Sequence, residues 1–237
     1  MNTAFHIAWR YLFARKSHNV INLISAVSAT GMAIGAAALI LILSVYNGFA
    51  RIIESNLSDL DPDILVTSAE GRRFIPDAGL VERLESDGRI SSVCRVLEEN
   101  VLLVYGDKQG IALAKGVDSL YEQGSPLASH LTAGEFSLHF GDVPQAAVGV
   151  SLAHEMGISP SFLDKLALCY PRRGVGIPLA GLSSSLGSVS VKPSCLFSIN
   201  SQTDAGTVIV PIETMRRLLD EPEAVSGLEL RTAAPAG

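Results

Sequence analysis

Between Lys16 and Arg51 the chain carries no Asp, Glu, Lys or Arg. Inside that gap, Ile21–Val45 consists mostly of Ile, Leu, Val and Ala. At about 1.5 Å per residue, a helix of this run reaches roughly 37 Å, enough to cross a hydrocarbon core of about 30 Å with some tilt. The apolar stretch of a signal peptide runs about 7–15 residues, so this one is too long to be one. A core helix of comparable length would keep a polar face, and none is present here. The sequence therefore predicts a retained transmembrane helix over residues 21–46. Of the 18 Lys and Arg, three (Arg10, Arg15 and Lys16) fall in residues 1–50, and none of the 24 Asp and Glu do. The positive-inside rule then keeps residues 1–20 in the cytosol and places everything after Asn47 outside. A net charge of −6 without a basic stripe argues against a nucleic-acid partner.

The flanks of the span add two expectations. Phe5, Ala8, Trp9, Leu12 and Phe13 recur at helical spacing, with His6 and Arg10 largely opposite. A segment of this kind over residues 1–20 can lie in the headgroup layer, in contact with membrane lipid. Within the span, Gly31 and Gly35 form a GxxxG pair in a strip of small residues from Ser25 to Ala38. Small residues let helix backbones approach closely in lipid, where packing drives association, so Gly31 and Gly35 are expected to pack on other spans.

The run Ile7-Ala8-Trp9-Arg10-Tyr11-Leu12-Phe13-Ala14-Arg15-Lys16 precedes the span. Gly31-Met32-Ala33-Ile34-Gly35 and Leu43-Ser44-Val45-Tyr46-Asn47-Gly48-Phe49 follow, and Leu60-Asp61-Pro62-Asp63-Ile64-Leu65-Val66 comes next. Together these segments resemble the first span and first outer strand of the lipoprotein-releasing (LolC/LolE-type) permeases, within the FtsX/MacB-like superfamily of ABC transporter permeases. The resemblance is sharp over residues 5–66 and continues by order of elements over 90–232. It implies four spans with a large periplasmic domain between the first and second, so the sequence reads as an N-terminal fragment. It implies an inner-membrane location, a second permease subunit, a cytosolic ABC ATPase and a periplasmic carrier that receives a lipoprotein. It also marks Asn47, Gly48 and Phe49 as the outer junction of the span.

The outer part reads, from its own residues, as α+β with strands in the majority. Strands are predicted at Asp63–Ser68, Ser92–Tyr105, Ile111–Val117, Gln145–Val150, Leu166–Tyr170, Val189–Ile199, Thr207–Val210 and Leu228–Arg231. Helices are predicted at Asp77–Glu85, Ser151–Met156 and Pro211–Leu219, and a hairpin turn at Gly106–Gly110. The resemblance divides this part into two lobes: a membrane-proximal α/β lobe from residues 51–117 and 205–237, and an inserted β-rich lobe from 118–204.

Pro171–Ser190, rich in Gly, Ser and Pro, reads as a loop between two β-rich segments, with Arg172 and Arg173 its only charges. In the family, a hairpin at this place can hook the periplasmic carrier. Arg172, Arg173, Leu179, Leu182 and Leu186 are then the expected carrier contacts, since clustered exposed apolar residues mark interaction surfaces. A plain surface loop is the competing reading.

Catalytic patterns are missing. The chain has no GxxxxGK[ST], no HExxH around His154-Glu155 and no GxSxG. Its five histidines lack metal-ligand spacing, and Asp59, Asp61 and Asp63 lack the Gly and distal Glu of a calcium loop. A non-catalytic membrane subunit without cofactor is expected. Cys94, Cys169 and Cys195 sit in apolar strand contexts; buried free thiols are favoured, with a disulfide and one cysteine left over as the alternative. Two other functions remain open: an FtsX-like regulator of cell-wall hydrolases, and a single-span anchored adaptor.

Overall fold

A computed structural model describes residues 19–56, 61–161, 164–171 and 186–232, together with residues 3, 6, 7 and 10. The amphipathic face of Phe5, Ala8, Trp9, Leu12 and Phe13 lies outside the described residues. The chain divides into two compact units, Met1–Leu57 and Ser58–Gly237.

In the first unit, residues 19–56 form a helix, α1 (Asn19–Asn56), 38 residues long. Its apolar stretch, Leu23–Ile52, has a mean hydropathy of 2.2, and none of it is buried within the protein. Leu39, Ile40, Leu41, Ile42 and Leu43 follow one another around the axis and are all exposed. A helix apolar on every side requires an apolar medium around it. Length and composition thus suit it to crossing a membrane. Thr30 satisfies its hydroxyl internally, donating to the Ala26 carbonyl at 2.7 Å. The sequence reading ended the span at residue 46. The helix instead continues through Asn47, Gly48 and Phe49 to Asn56. No proline interrupts it, and Ala50, Arg51 and Ile52 extend it at little cost in propensity.

The second unit is built on a sheet of ten strands. These are β1 (Ile64–Thr67), β2 (Ile90–Tyr105), β3 (Lys108–Val117), β4 (Leu131–Gly134), β5 (His139–Phe140), β6 (Val143–Gly149), β7 (Leu166–Pro171), β8 (Leu186–Phe197), β9 (Thr207–Pro211) and β10 (Gly227–Thr232). Among the described residues, five α-helices and a short 3-10 helix (Pro126–His130) accompany them: α2 (Ala78–Glu85), α3 (Ser119–Gly124), α4 (Val150–Met156), α5 (Ser201–Gly206) and α6 (Ile212–Leu219). The main path runs β1-β10-β2-β3-β9-β6-β8-β4. Because β7 pairs with both β2 and β8, the strands β2, β3, β9, β6, β8 and β7 close into a ring.

Alternation along the strands explains the two cores. In β2, Val93, Leu97, Val101 and Leu103 face one cluster, which also takes Ala112, Ala146, Val148, Leu166, Leu168, Val208 and Val210. Cys94 and Val96 face the opposite cluster, with Val117, Ala147, Cys195, Phe197 and Ile209. Successive side chains of a strand point to opposite faces, so a strand with apolar residues in both registers supplies both cores. The α6 helix covers the first core with Ile212, Met215, Leu218 and Leu219 and turns Glu213, Arg216 and Arg217 away.

Gly116 on β3 permits this close approach. A Cβ there would lie 2.7 Å from Met215 Cγ and 3.2 Å from Ile212 Cα. Gly116→Val should destabilise the domain by about 1–3 kcal/mol, the usual cost of overpacking. Chemical denaturation of the variant checks this; an unchanged midpoint would show that α6 yields freely.

Most predicted elements are present, with shifted ends. The β2–β3 turn contracts from Gly106–Gly110 to Gly106 and Asp107, since Tyr105 already pairs with Lys108. Gly106 has φ 57°, and a glycine with positive φ at the first position suits a two-residue hairpin loop. The elements not predicted are short. Side-chain caps fix two of them: Asp118 accepts from Tyr121 N at 3.2 Å for α3, and Asn200 from Thr203 N at 2.8 Å for α5. The segments expected as two lobes, 51–117 with 205–237 and 118–204, meet in one sheet, with β9 between β3 and β6 and β7 on β2. The strand that follows α1 is fastened to the last strand. The Thr232 N–H and hydroxyl donate to the Asp63 carboxylate at 2.7 and 2.9 Å, which lowers the Asp63 pKa.

Candidate functional site

The β7–β8 hairpin and the charged frame at its base form the most distinctive feature of the second unit. The two strands pair from Leu166↔Val191 to Pro171↔Leu186, so Pro171 and Leu186, which flank residues 172–185, lie side by side. The strand predicted from Val189 begins three residues earlier, at Leu186. Val189 and Val191 alternate with Ser188 and Ser190, and the strand continues upstream to Leu186, which is half-buried opposite Pro171. Leu186 thus belongs to the stem, not the tip. Arg172, Arg173, Leu179 and Leu182 lie outside the described residues.

On its other side, β7 pairs with β2 over only three positions, Leu102↔Cys169, Leu103↔Leu168 and Val104↔Ala167. Just past the last of these, Tyr170 meets Arg73. The guanidinium donates to the Tyr170 hydroxyl at 3.3 Å and lies 5.8 Å from the centre of its ring. The same nitrogen, Nη2, makes a short hydrogen bond to Glu99 of β2, and Nη1 pairs with Glu221 at 3.1 Å. Arg73 is 11% exposed and Glu99 7%. Burial works against the Arg73 charge, but Glu99, Glu221 and Tyr170 outweigh it and raise its pKa above that of an ordinary arginine. A planar guanidinium suits this task, because its donors are arranged in a fixed fork. The next residue, Phe74, exchanges two backbone hydrogen bonds of 2.9 Å with Val225. The frame borders a groove of about 750 Å³ whose walls include Phe74, Ile75, Tyr170 and Pro222.

A second buried charge, Lys115 on β3, pairs with Glu229 of β10 and lies 3.7 Å from Glu98, with its ammonium 5.4 Å from the Tyr121 ring centre. Burial would depress the Lys115 pKa; Tyr121, Glu229 and Glu98 reverse that and raise it. These residues fasten β10, β2 and β3 together, and no cavity opens beside them among the described pockets.

All three cysteines are free thiols. Burial, with Asp118 and Glu229 nearby, pushes Cys94 up to about 11, and burial does the same for Cys195. The thiolate is the reactive form. Iodoacetamide at pH 8 should therefore modify half-buried Cys169 and spare Cys94 and Cys195 until the protein unfolds. Peptide mass spectrometry reads this; equal labelling of all three in the native protein would contradict it. Among the described residues no three of His, Cys, Asp and Glu gather as metal ligands would.

Within α1, a Cβ at Gly31, Gly35 or Gly48 would meet nothing within 4 Å, so these positions leave room on the helix surface for another backbone. The Arg73 frame escaped sequence reasoning because its members, residues 73, 99, 170 and 221, are far apart in the chain and follow no period. The burial of Arg73 is set by the β1–β10 and β2–β7 pairings, which no local pattern encodes.

The chain resembles known proteins along nearly all of its length. It is 23% identical to the lipoprotein-releasing system transmembrane protein LolE of Haemophilus influenzae over 99% of the chain and 56% of that protein. It is 24% identical to the lipoprotein-releasing system transmembrane protein LolC of Neisseria meningitidis serogroup B over 97% of the chain and 54% of that protein. The chain thus spans just over half the length of these curated relatives. Among solved structures, the extracellular domain of the noncanonic ABC-type transporter YknZ from Gram-positive bacteria is similar, with a TM-score of 0.48 and 13% identity over 72% of this chain and 82% of that one. The MacB-like periplasmic core domain matches residues 25–166, more than half of the chain, and the protein belongs to that family.

Proposed function

We propose that this chain is part of an ABC transporter permease of the lipoprotein-releasing type. In this reading α1 is the first span, residues 1–20 are cytosolic and the second unit is periplasmic in the cell inner membrane. A separate ABC ATPase hydrolyses ATP, a second permease subunit packs beside the Gly31–Gly35 face, and a periplasmic carrier takes the lipoprotein. The contribution of the chain is mechanical. Movement driven by the ATPase passes through α1 into the sheet and presents or withdraws the hairpin, so that carrier and cargo are bound differently in two states. Arg172, Arg173, Leu179 and Leu182 contact the carrier, in the segment 118–204 expected as the inserted lobe, and Leu186 supports them from the stem. Asn47, Gly48 and Phe49 lie where the helix leaves the hydrocarbon.

The observation carrying this reading is the match to lipoprotein-releasing transmembrane proteins over almost the whole chain, joined to a helix apolar enough to span. Depleting the full-length protein in its own cells should trap outer-membrane lipoproteins in the inner-membrane fraction. Correct lipoprotein sorting with a defect in cell-wall hydrolysis would favour the FtsX-like regulator instead. The orientation has its own test. With the native cysteines replaced by alanine, an impermeant maleimide should label Glu70→Cys in intact spheroplasts. Labelling only after lysis would reverse the topology.

A further inference from the structure

We propose that Arg73 is the positioning residue that couples β1, the strand following the apolar helix, to the stem of the β7–β8 hairpin. The inference rests on the proposed permease function and names the side chain through which the hairpin is driven. β1 pairs with β10 along its whole length. Phe74 closes onto Val225 just ahead of β10. Residues 64–67, 73–74 and 225–232 thereby form one hydrogen-bonded block. Arg73 projects from this block and reaches two other segments, Glu99 on β2 and Tyr170 on β7.

Its place on the hairpin is specific. Backbone pairing between β7 and β2 stops at Cys169↔Leu102. Tyr170 is the next residue, at the point where the stem leaves β2 and continues only with β8. There the Tyr170 ring packs on the core, and its hydroxyl accepts a hydrogen bond from Arg73, which ties the stem to the β1–β10 block. Glu221, in the connection between α6 and β10, lies 3.1 Å from the second arm of the guanidinium and pairs with its charge. A displacement of the β1–β10 block therefore moves the Arg73 guanidinium, and with it Tyr170 and the base of the hairpin. A purely structural ion pair would only neutralise Glu99 and Glu221, which a lysine also does. Positioning requires the fork and the Tyr170 hydroxyl.

Arg73→Lys and Tyr170→Phe separate these roles, since the first keeps the charge and the second keeps the ring and the Arg73–Glu99–Glu221 cluster. The full-length permease would be reconstituted with its ATPase in vesicles. Lipoprotein delivered to the carrier per ATP hydrolysed should fall at least fivefold in both variants, while melting temperature and ATPase rate stay at wild-type values. Unchanged delivery per ATP, or a loss that merely follows the unfolded fraction, would overturn the coupling role. A second readout needs neither cargo nor carrier. Spin labels at Thr67→Cys and Ser188→Cys, both exposed, should give one narrow distance in the otherwise wild-type permease with its native cysteines replaced. That distribution should broaden in Arg73→Lys and Tyr170→Phe. An equally narrow distribution in the variants would refute the coupling. Broadening without any lipoprotein delivery by the wild-type permease would count against the proposed function and leave the Arg73 coupling standing.

Discussion

Replacing residues 172–185 with the two-residue turn Asn-Gly is expected to abolish capture of the periplasmic carrier and leave the domain folded. The strands on either side are already in register at Pro171↔Leu186. Asn-Gly supplies the two positive-φ positions that a tight hairpin turn needs. Shortening the connection changes its closure entropy only slightly, and the buried stem residues Leu166, Leu168 and Val191 remain in the core. The deleted segment holds Leu179 and Leu182, for which a purely solvated linker has no use, and the Arg172-Arg173 pair, which can steer an acidic rim. Losing the centre of a contact surface costs about 2 kcal/mol or more, on the order of thirtyfold in affinity. Calorimetric binding of the carrier, run beside thermal unfolding of the same preparation, would read both effects. Full binding by the shortened hairpin would make the segment a bystander. A collapse in melting temperature would make it part of the core.

Gly31→Leu and Gly35→Leu should each impair assembly of the permease. In lipid the apolar face of a span gains nothing by leaving its surroundings, so close packing between small residues carries the association. An isobutyl group at either glycine would hold a neighbouring backbone away. The expected cost is on the order of 1–2 kcal/mol, a factor of roughly 5–30 in the assembled fraction. Alanine at the same positions should be milder, because it adds one methyl group. The check is co-purification of the second permease subunit and the ATPase with the full-length variants from detergent extracts. Wild-type yields from both leucine variants would remove the packing role.

How far the sequence reveals this molecule depends on the range of the interaction concerned. The apolar helix was legible because its signal is local and repeated through Leu23–Ile52. The helix itself runs on past residue 46, because the charged and polar residues after Asn47 do not interrupt helical hydrogen bonding. The long strands were legible from alternation, as with Val101, Leu103 and Tyr105, all buried on one side of β2. The short elements α3, α5, β4 and β5 have too few residues to show a period and depend on caps and neighbours. The ring closure through β7 could not be read locally. It depends on Leu102, Leu103 and Val104 finding Cys169, Leu168 and Ala167 more than 60 positions away. The hairpin was seen as an unusual composition, and its stem was underestimated because Gly187 and Ser188 resemble loop residues. The frame beneath it shows the same limit. Arg73 sits in a polar stretch beside Arg72, yet Arg72 is 79% exposed and Arg73 11%. What distinguishes the two arginines is tertiary: Arg73 meets Glu99, Glu221 and Tyr170, from three segments far away in the chain.

ATP-dependent transfer of a labelled lipoprotein from vesicles to the soluble carrier is the most direct test of the account. The vesicles would hold the full-length permease, its second subunit and its ATPase. Transfer should require ATP and the carrier together and should fail when residues 172–185 are replaced with Asn-Gly, even though ATP is still hydrolysed. Transfer that proceeds at the wild-type rate with the shortened hairpin, or no transfer under any condition by a complex that hydrolyses ATP, would contradict it.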